Sequence, residues 1–311
     1  MAKQKKRTMA EKKANAEKCI RNMESGKRIT KNMVSDLLEI HPEILYQEMP
    51  DAIKELFPVV SMDIATDVFH IHFTMKHNAK MTGMFSLSST CIHGDCLNKI
   101  AAAYRLVDED FTWETATAER VKMDKALLKK YIEKNPLATN ASICGLCFSF
   151  NQQSFMETMK EPLSHNFEMI NGGIINPDWL PTINALYFRG EAFGDFNSKN
   201  AVANFMNLIK KNPAVYFGIW TKNPKYFDMV FGGDSAAVPA NANFIYSSQF
   251  INKKTSVPKK YRYFISKTFT VYTPQYAKKF GIAINCGARA CLACLKCYTK
   301  NNINEIAELL K

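Results

Sequence analysis

The apolar positions divide the chain into a helical front, a long helical excursion and an alternating back half. Residues 9–25 and 30–39 carry helical spacing, with Thr30 or Ser35 available as caps, and a short helix fits 51–56 between Pro50 and Pro58. The run Val68-Phe69-His70-Ile71-His72-Phe73-Thr74-Met75 alternates and is rich in β-formers, which predicts a strand with His70 and His72 on one face. Residues 84–88 form a second strand that runs into Cys91 and Cys96. Helical spacing returns at 97–104 and 114–134, and again from Phe150 to Met159.

From about residue 179 strands and helices take turns. The pattern predicts a strand at 185–190, an amphipathic helix at 198–211 capped by Ser198, a strand at 215–220 and a short helix at 224–230. Further strands fall at 243–248, near 267–273 and at 281–285, with a helix at 301–311 closing the chain. A β–α–β period of about thirty residues implies parallel strands joined by crossover helices. No Gly-x-Gly-x-x-Gly follows a strand, so a partial or complete parallel (βα) barrel of TIM type is preferred to a doubly wound sheet. The fold class is therefore α/β with cysteine-rich ends and an N-terminal helical appendage. Residues 1–65 form the basic tail and appendage, 66–300 the α/β metal-cluster domain with a helical insert about 97–140, and 301–311 the last helix.

Composition adds a large core and a positive charge. Nearly half the residues are hydrophobic and the formal net charge is +12. Eleven Lys and Arg fall within residues 1–31. That arm reads first as a solvated tail. Its functional reading, shared with the basic surface as a whole, is nucleic-acid binding through release of counterions from phosphates. Tyr261-Arg262-Tyr263-Phe264, following Lys253, Lys254, Lys259 and Lys260, has the mixture of cations and aromatics that suits single strands. It reads first as a surface loop entering a buried strand. No run of ~20 apolar residues offers a membrane span and no secretory signal is visible, so a cytoplasmic protein is expected, with no membrane partner.

The nine cysteines sharpen this reading. Cys286, Cys291, Cys294 and Cys297 form C-x4-C-x2-C-x2-C, and Cys91, Cys96, Cys144 and Cys147 form a second set of four. Disulfides between such near neighbours would be strained, and the expected compartment is reducing. Four-thiolate sites hold zinc or an iron–sulfur cluster. A compressed run favours iron–sulfur, with one or two [4Fe-4S] clusters expected and zinc as the alternative metal. Arg189, Gly190, Glu191 and Asp195 sit at a predicted strand end, where barrels keep their functional groups, and are candidates for cofactor binding. Their plainer reading is a capped loop with a local ion pair.

The sequence Phe188-Arg189-Gly190-Glu191-Ala192-Phe193-Gly194-Asp195-Phe196, a helix, and then Asn212-Pro213-Ala214-Val215-Tyr216-Phe217-Gly218-Ile219-Trp220-Thr221-Lys222 resembles the core of a phage-encoded family known as gene product 88. Phe85-Ser86-Leu87 entering cysteines, the Cys144–Phe148 turn and the run ending Cys297-Tyr298 extend the resemblance over roughly 83–300, outside the insert 98–140. A phage origin would place the protein in the host cytoplasm. There is a wider similarity to radical S-adenosylmethionine enzymes. Those place three cysteines after the first barrel strand and a Gly-Gly-Glu after the second, which holds the amino group of the methionine. The similarity implies S-adenosylmethionine as a cofactor, with Cys144 and Cys147 as two ligands, Cys91 or Cys96 as the third, and Gly190-Glu191 as the amino-group site. The chain departs from that pattern in lacking a contiguous C-x3-C-x2-C. Two functions follow: a radical-type enzyme acting on a nucleic acid or nucleotide, or a non-catalytic metalloprotein that binds nucleic acid.

Overall fold

The computed structural model describes residues 8–25, 33, 36–37, 68–73, 80–90, 92, 95–155, 157–183, 185–287 and 290–310. The helix expected at 51–56, most of 30–39, the N-terminal arm up to residue 7 and Cys91 lie outside these residues.

Helix α1 (Met9–Glu24) opens the chain. Seven strands then line up in the order of the sequence: β1 (His72–Phe73), β2 (Phe85–Leu87), β3 (Tyr187–Gly190), β4 (Tyr216–Thr221), β5 (Ala242–Ser247), β6 (Ile265–Tyr272) and β7 (Glu305–Leu309). β1 pairs antiparallel with β2, and β2 to β7 are all parallel. Among the described residues β7 does not pair back to β1 or β2, so the α/β class holds while closure into a barrel is not established. Sequential order with right-handed crossovers sends successive helices to the same face. Between β2 and β3 run α2 (Asp95–Tyr104), α3 (Ala118–Lys134), α4 (Phe148–Phe155) and α5 (Glu157–Gly172). α6 (Lys199–Lys211) links β3 to β4 and packs between α5 and α7 (Pro224–Phe231).

Strand alternation assigns the two faces. Phe188, Phe217, Ile219 and Phe244 are buried with Phe205, Leu208 and Ile209 of α6 in the main core. α6 forms where expected because Ser198 accepts the Ala201 N–H at 3.0 Å, a cap worth ~1 kcal/mol. Asn212 ends it and ties its last turn to Pro181 and Ile183. Tyr187, Trp220 and Tyr298 occupy the opposite face in a separate cluster with Cys291 and Cys297. A third cluster joins α2, α3 and the turn at Ile143–Leu146, and includes Cys96, Cys144 and Cys147.

Two expectations at the C-terminus are corrected. Residues 305–309 are strand β7, and the stretch 281–285 is not a strand: Asn285 donates its N–H to Ala307 O at 3.2 Å, and the bridge Cys286↔Glu308 follows it. A helix this short has little stability of its own, whereas the free edge of β6 satisfies a full row of backbone groups. The cysteine run therefore lies between β6 and β7, with α8 (Pro274–Lys279) before it and the short α9 (Cys291–Cys294) inside it.

Candidate metal centre

The loop after β3 is anchored to both neighbouring strands. Asp195 Oδ1 accepts the Thr221 hydroxyl at 2.7 Å, and its Oδ2 accepts the Lys222 backbone N–H at 2.8 Å. The two motifs of the loop and the β4 end are thus the halves of one contact. Glu191 has φ 50° and is buried. A left-handed non-glycine residue is costly and persists where its surroundings over-determine it. Here Leu87 O takes its N–H, and its carboxylate accepts both the Ser89 N–H and the Ser89 hydroxyl at 2.9 Å. Burial pushes the Glu191 carboxyl up to about 7, against the lowering effect of those Ser89 bonds. Among the described residues Glu191 is therefore engaged by the segment just after β2, through Ser89, rather than by a cation.

Beside this loop lies the first cysteine group. Cys96 is in the first turn of α2, and Cys144 and Cys147 flank Gly145 in a tight turn where the Cys147 N–H meets Cys144 O at 3.1 Å. α2 can close on this turn because Gly145 has no side chain; a Cβ there would stand 2.8 Å from that of Ala103. Burial raises the Cys96 thiol, and Asp195 raises it further while Lys99 and Lys222 oppose. Burial alone would lower the Lys222 ammonium. Cys144, Asp195, Cys147 and Cys96 outweigh that effect and hold its pKa above the ordinary value. Three of the four expected cysteines thus act on Lys222 just beyond the end of β4, and Asp195 acts on one of them, Cys96. Cys91 lies outside the described residues.

Cys291 and Cys297 of the C-terminal run pack on the face of β3 and β4 opposite the main core, with Leu163 of α5 in the same cluster. Cys286 is stitched to β7 by its N–H to Ala307 O at 2.9 Å, and Cys291 donates its N–H to Lys80 O at 2.6 Å. Leu295, at φ 53°, turns the chain after α9 so that Tyr298 comes down on β4. Gly218 makes that seat: a Cβ there would stand 2.7 Å from the Tyr298 ring. Trp220 and Tyr187 meet the same ring edge-on at 5.8 and 5.9 Å. Arg189 stacks its guanidinium 3.6 Å from the centre of Trp220, and its buried Nε has no hydrogen-bond partner in the described structure.

Electrostatics joins the four thiols. Burial raises Cys297 to about 12, and Cys286, Cys291 and Cys294 add to it while Arg189 opposes. Cys291 is raised by burial and lowered by Arg189, with Cys286 and Cys294 both acting on it. Burial and Glu308 raise Cys286, countered by Lys80, whose ammonium lies 3.4 Å from its sulfur and is ion-paired with Glu308. Cys286, Cys291, Cys294 and Cys297 are all free thiols. Among the described residues no three His, Cys, Asp or Glu side chains stand close enough to hold a metal ion. What joins these residues is electrostatic: Cys286, Cys291 and Cys294 each act on Cys297, and Arg189 and Lys80 are the cations beside the run. Arg189 belongs to this group and not with Cys96, Cys144 and Cys147, as does the aromatic set around Gly218.

Sequence reasoning missed Lys80, Lys222 and Ser89. Lys222 stood in the quoted strand-end motif, so its neighbourhood was the available signal. Lys80 and Ser89 sit in stretches with no periodicity to mark them. His70 and His72 each meet an aromatic ring edge-on, His70 that of His165 at 4.8 Å and His72 that of Phe193 at 5.9 Å.

The profile of the family described as Gene product 88 matches residues 70–308. The chain belongs to the gene product 88 family. The family match begins just before β1, crosses the helical insert and ends in β7, so it is wider than the 83–300 resemblance and takes in both cysteine groups. No curated protein and no solved structure matches the chain. No described helix is long and apolar enough to cross a membrane.

Proposed function

We propose that this gene product 88 protein is an iron–sulfur protein whose C-terminal run, Cys286, Cys291, Cys294 and Cys297, holds a cluster against the sheet. The observation that carries the reading is four free thiols, three of which act on the fourth, Cys297, beside Arg189 and Lys80 on a sheet face that Gly218 leaves open for Tyr298. Thiolates and sulfides together carry net negative charge, which a half-buried guanidinium and ammonium offset. When bound, the cluster supplies one-electron chemistry or a structural staple. The protein's own residues position the thiols, exclude water with Trp220 and Tyr298, and supply the balancing cations. Zinc is the competing occupant. Iron, sulfide and zinc assays on anaerobically purified protein separate the two.

A second reading places another cluster at Cys96, Cys144 and Cys147, joined or not by Cys91, with S-adenosylmethionine beside it. The order of elements favours it: cysteines follow the first parallel strand, and Gly190-Glu191 follows the second. Lys222, rather than Arg189, is the cation at that site. Glu191 must leave Ser89 to meet an amino group, so calorimetric binding of S-adenosylmethionine to wild type and to Glu191→Gln is the test. A wild-type protein that keeps its cluster and binds none leaves the first reading alone.

A further inference from the structure

The positive charge has a second reservoir besides the N-terminal arm. Between Ser235 and Asn304 the sequence holds eleven Lys and Arg and not one Asp or Glu. Part of this set converges where β6 and β7 begin. A groove of about 510 Å³ there is lined by Lys254, Thr255, Arg262, Lys267, Thr268 and Asn304, with Glu305 as its acidic member. Glu305 is already engaged, by Lys254 at 2.6 Å and by the Tyr272 hydroxyl at 2.6 Å. Lys267 is only 3 % exposed, and its ammonium is held by Asn301 Oδ1 at 2.8 Å and Ile303 O at 3.1 Å. Both partners are neutral, so the charge they fix is not cancelled by them. A buried cation with neutral partners is costly, and an anion at the groove would relieve that cost. Arg262 is exposed, and its Nε donates to Val257 O at 3.2 Å, which fixes the guanidinium at the rim. Lys253, Lys259 and Lys260 lie exposed on the same loop and continue the positive strip beyond the groove.

The aromatics of this stretch do not face outward. Tyr261 and Phe264 are buried in the main core, and the Tyr263 hydroxyl is bonded to Asp228 at 2.9 Å. Base stacking is therefore not offered, and the cations alone remain for a ligand. A strip of this kind tracks a chain of phosphates rather than reading bases.

We infer that the groove at the start of β6 and β7, with Lys254, Arg262 and Lys267, binds the phosphodiester backbone of nucleic acid without reading its sequence. The site is independent of whether the cysteines hold a cluster, although Cys297 acts electrostatically on Lys267 and so lies near it. Affinity is on the order of 10⁻⁴–10⁻⁶ M at physiological salt, the range of sequence-independent binding.

The test is fluorescence anisotropy of the full chain with a labelled mixed-sequence single-stranded oligonucleotide over a range of salt. Lys254→Ala and Arg262→Ala remove exposed side chains, and each should lower the slope of log K against log salt by about one. Lys122→Ala, on the exposed side of α3 and outside the groove, should leave the slope unchanged. Inorganic phosphate at equal phosphorus concentration should compete poorly, because it lacks the linked charges. The inference fails if wild type does not bind, or if the double variant keeps the wild-type slope, which would assign binding to the N-terminal arm. Inorganic phosphate competing as well as the oligonucleotide would also overturn it, since the groove would then be a simple anion pocket. An unchanged melting midpoint in both variants separates loss of contact from loss of fold.

Discussion

Gly218 and Tyr298 are a lock and its seat: a Cβ on Gly218 would stand 2.7 Å from Tyr298 Cε1 and 2.9 Å from Trp220 Cζ3. This pair docks the C-terminal cysteine run on the sheet. Gly218→Ala should therefore cost about 1–3 kcal/mol as an overpacked site. It should also weaken metal retention, because binding and folding of a metal segment are coupled. Urea unfolding and metal analysis after dialysis check both, and a variant as stable and as metal-loaded as wild type would show that the tyrosine is not the anchor.

Asp195 holds two strand ends together through three acceptor bonds, to the Thr221 hydroxyl and to the N–H groups of Lys222 and Phe196. Asn in its place keeps one acceptor oxygen and turns the other into a donor. At a buried site that should cost about 1–3 kcal/mol. Denaturant unfolding of Asp195→Asn measures it, and a change near zero would mean the loop is held by its other contacts.

Glu191 gives stability a pH dependence of definite sign. Its folded pKa is raised from 4.5 to about 7, so between those values the folded state binds more proton than the unfolded one. Stability must then fall as pH rises from about 4.5 to about 7 and level off above. Glu191→Gln removes this component. The difference in unfolding free energy between variant and wild type should grow in the variant's favour across that window, and a flat difference would refute the assignment.

Much of this architecture could be read from the chain. The strands at β3, β4 and β5 and helix α6 follow from alternation, the Ser198 cap and the Asn212 stop, all local signals. The C-terminal region could not be read in that way. Residues 305–309 have no strong periodicity of their own, and what makes them β7 is the free edge of β6, a partner more than thirty residues away. The cysteines were legible as two groups from spacing alone. Their partners were not, because Arg189 lies a hundred residues from Cys291 and its direction depends on which face of β3 it occupies.

That face assigns Arg189 a role which can be separated from folding. Held over Trp220 beside Cys291 and Cys297, its charge would stabilise the reduced, more negative state of a cluster bound by the proposed run. Arg189→Met should keep the cluster absorption while shifting its reduction potential to more negative values, and Arg189→Lys should recover part of the shift. Redox titration reads it. A potential that does not move in the Met variant would leave Arg189 a packing residue only.

Iron and acid-labile sulfide content of the anaerobically purified protein, wild type against Cys294→Ser, decides whether the C-terminal run holds an iron–sulfur cluster. A brown wild type with iron and sulfide in comparable amounts is expected. In the variant, iron and sulfide should drop and the C-terminal segment should become more easily unfolded. A colourless wild type with stoichiometric zinc, or a Cys294→Ser protein with undiminished iron, would contradict the proposed cluster.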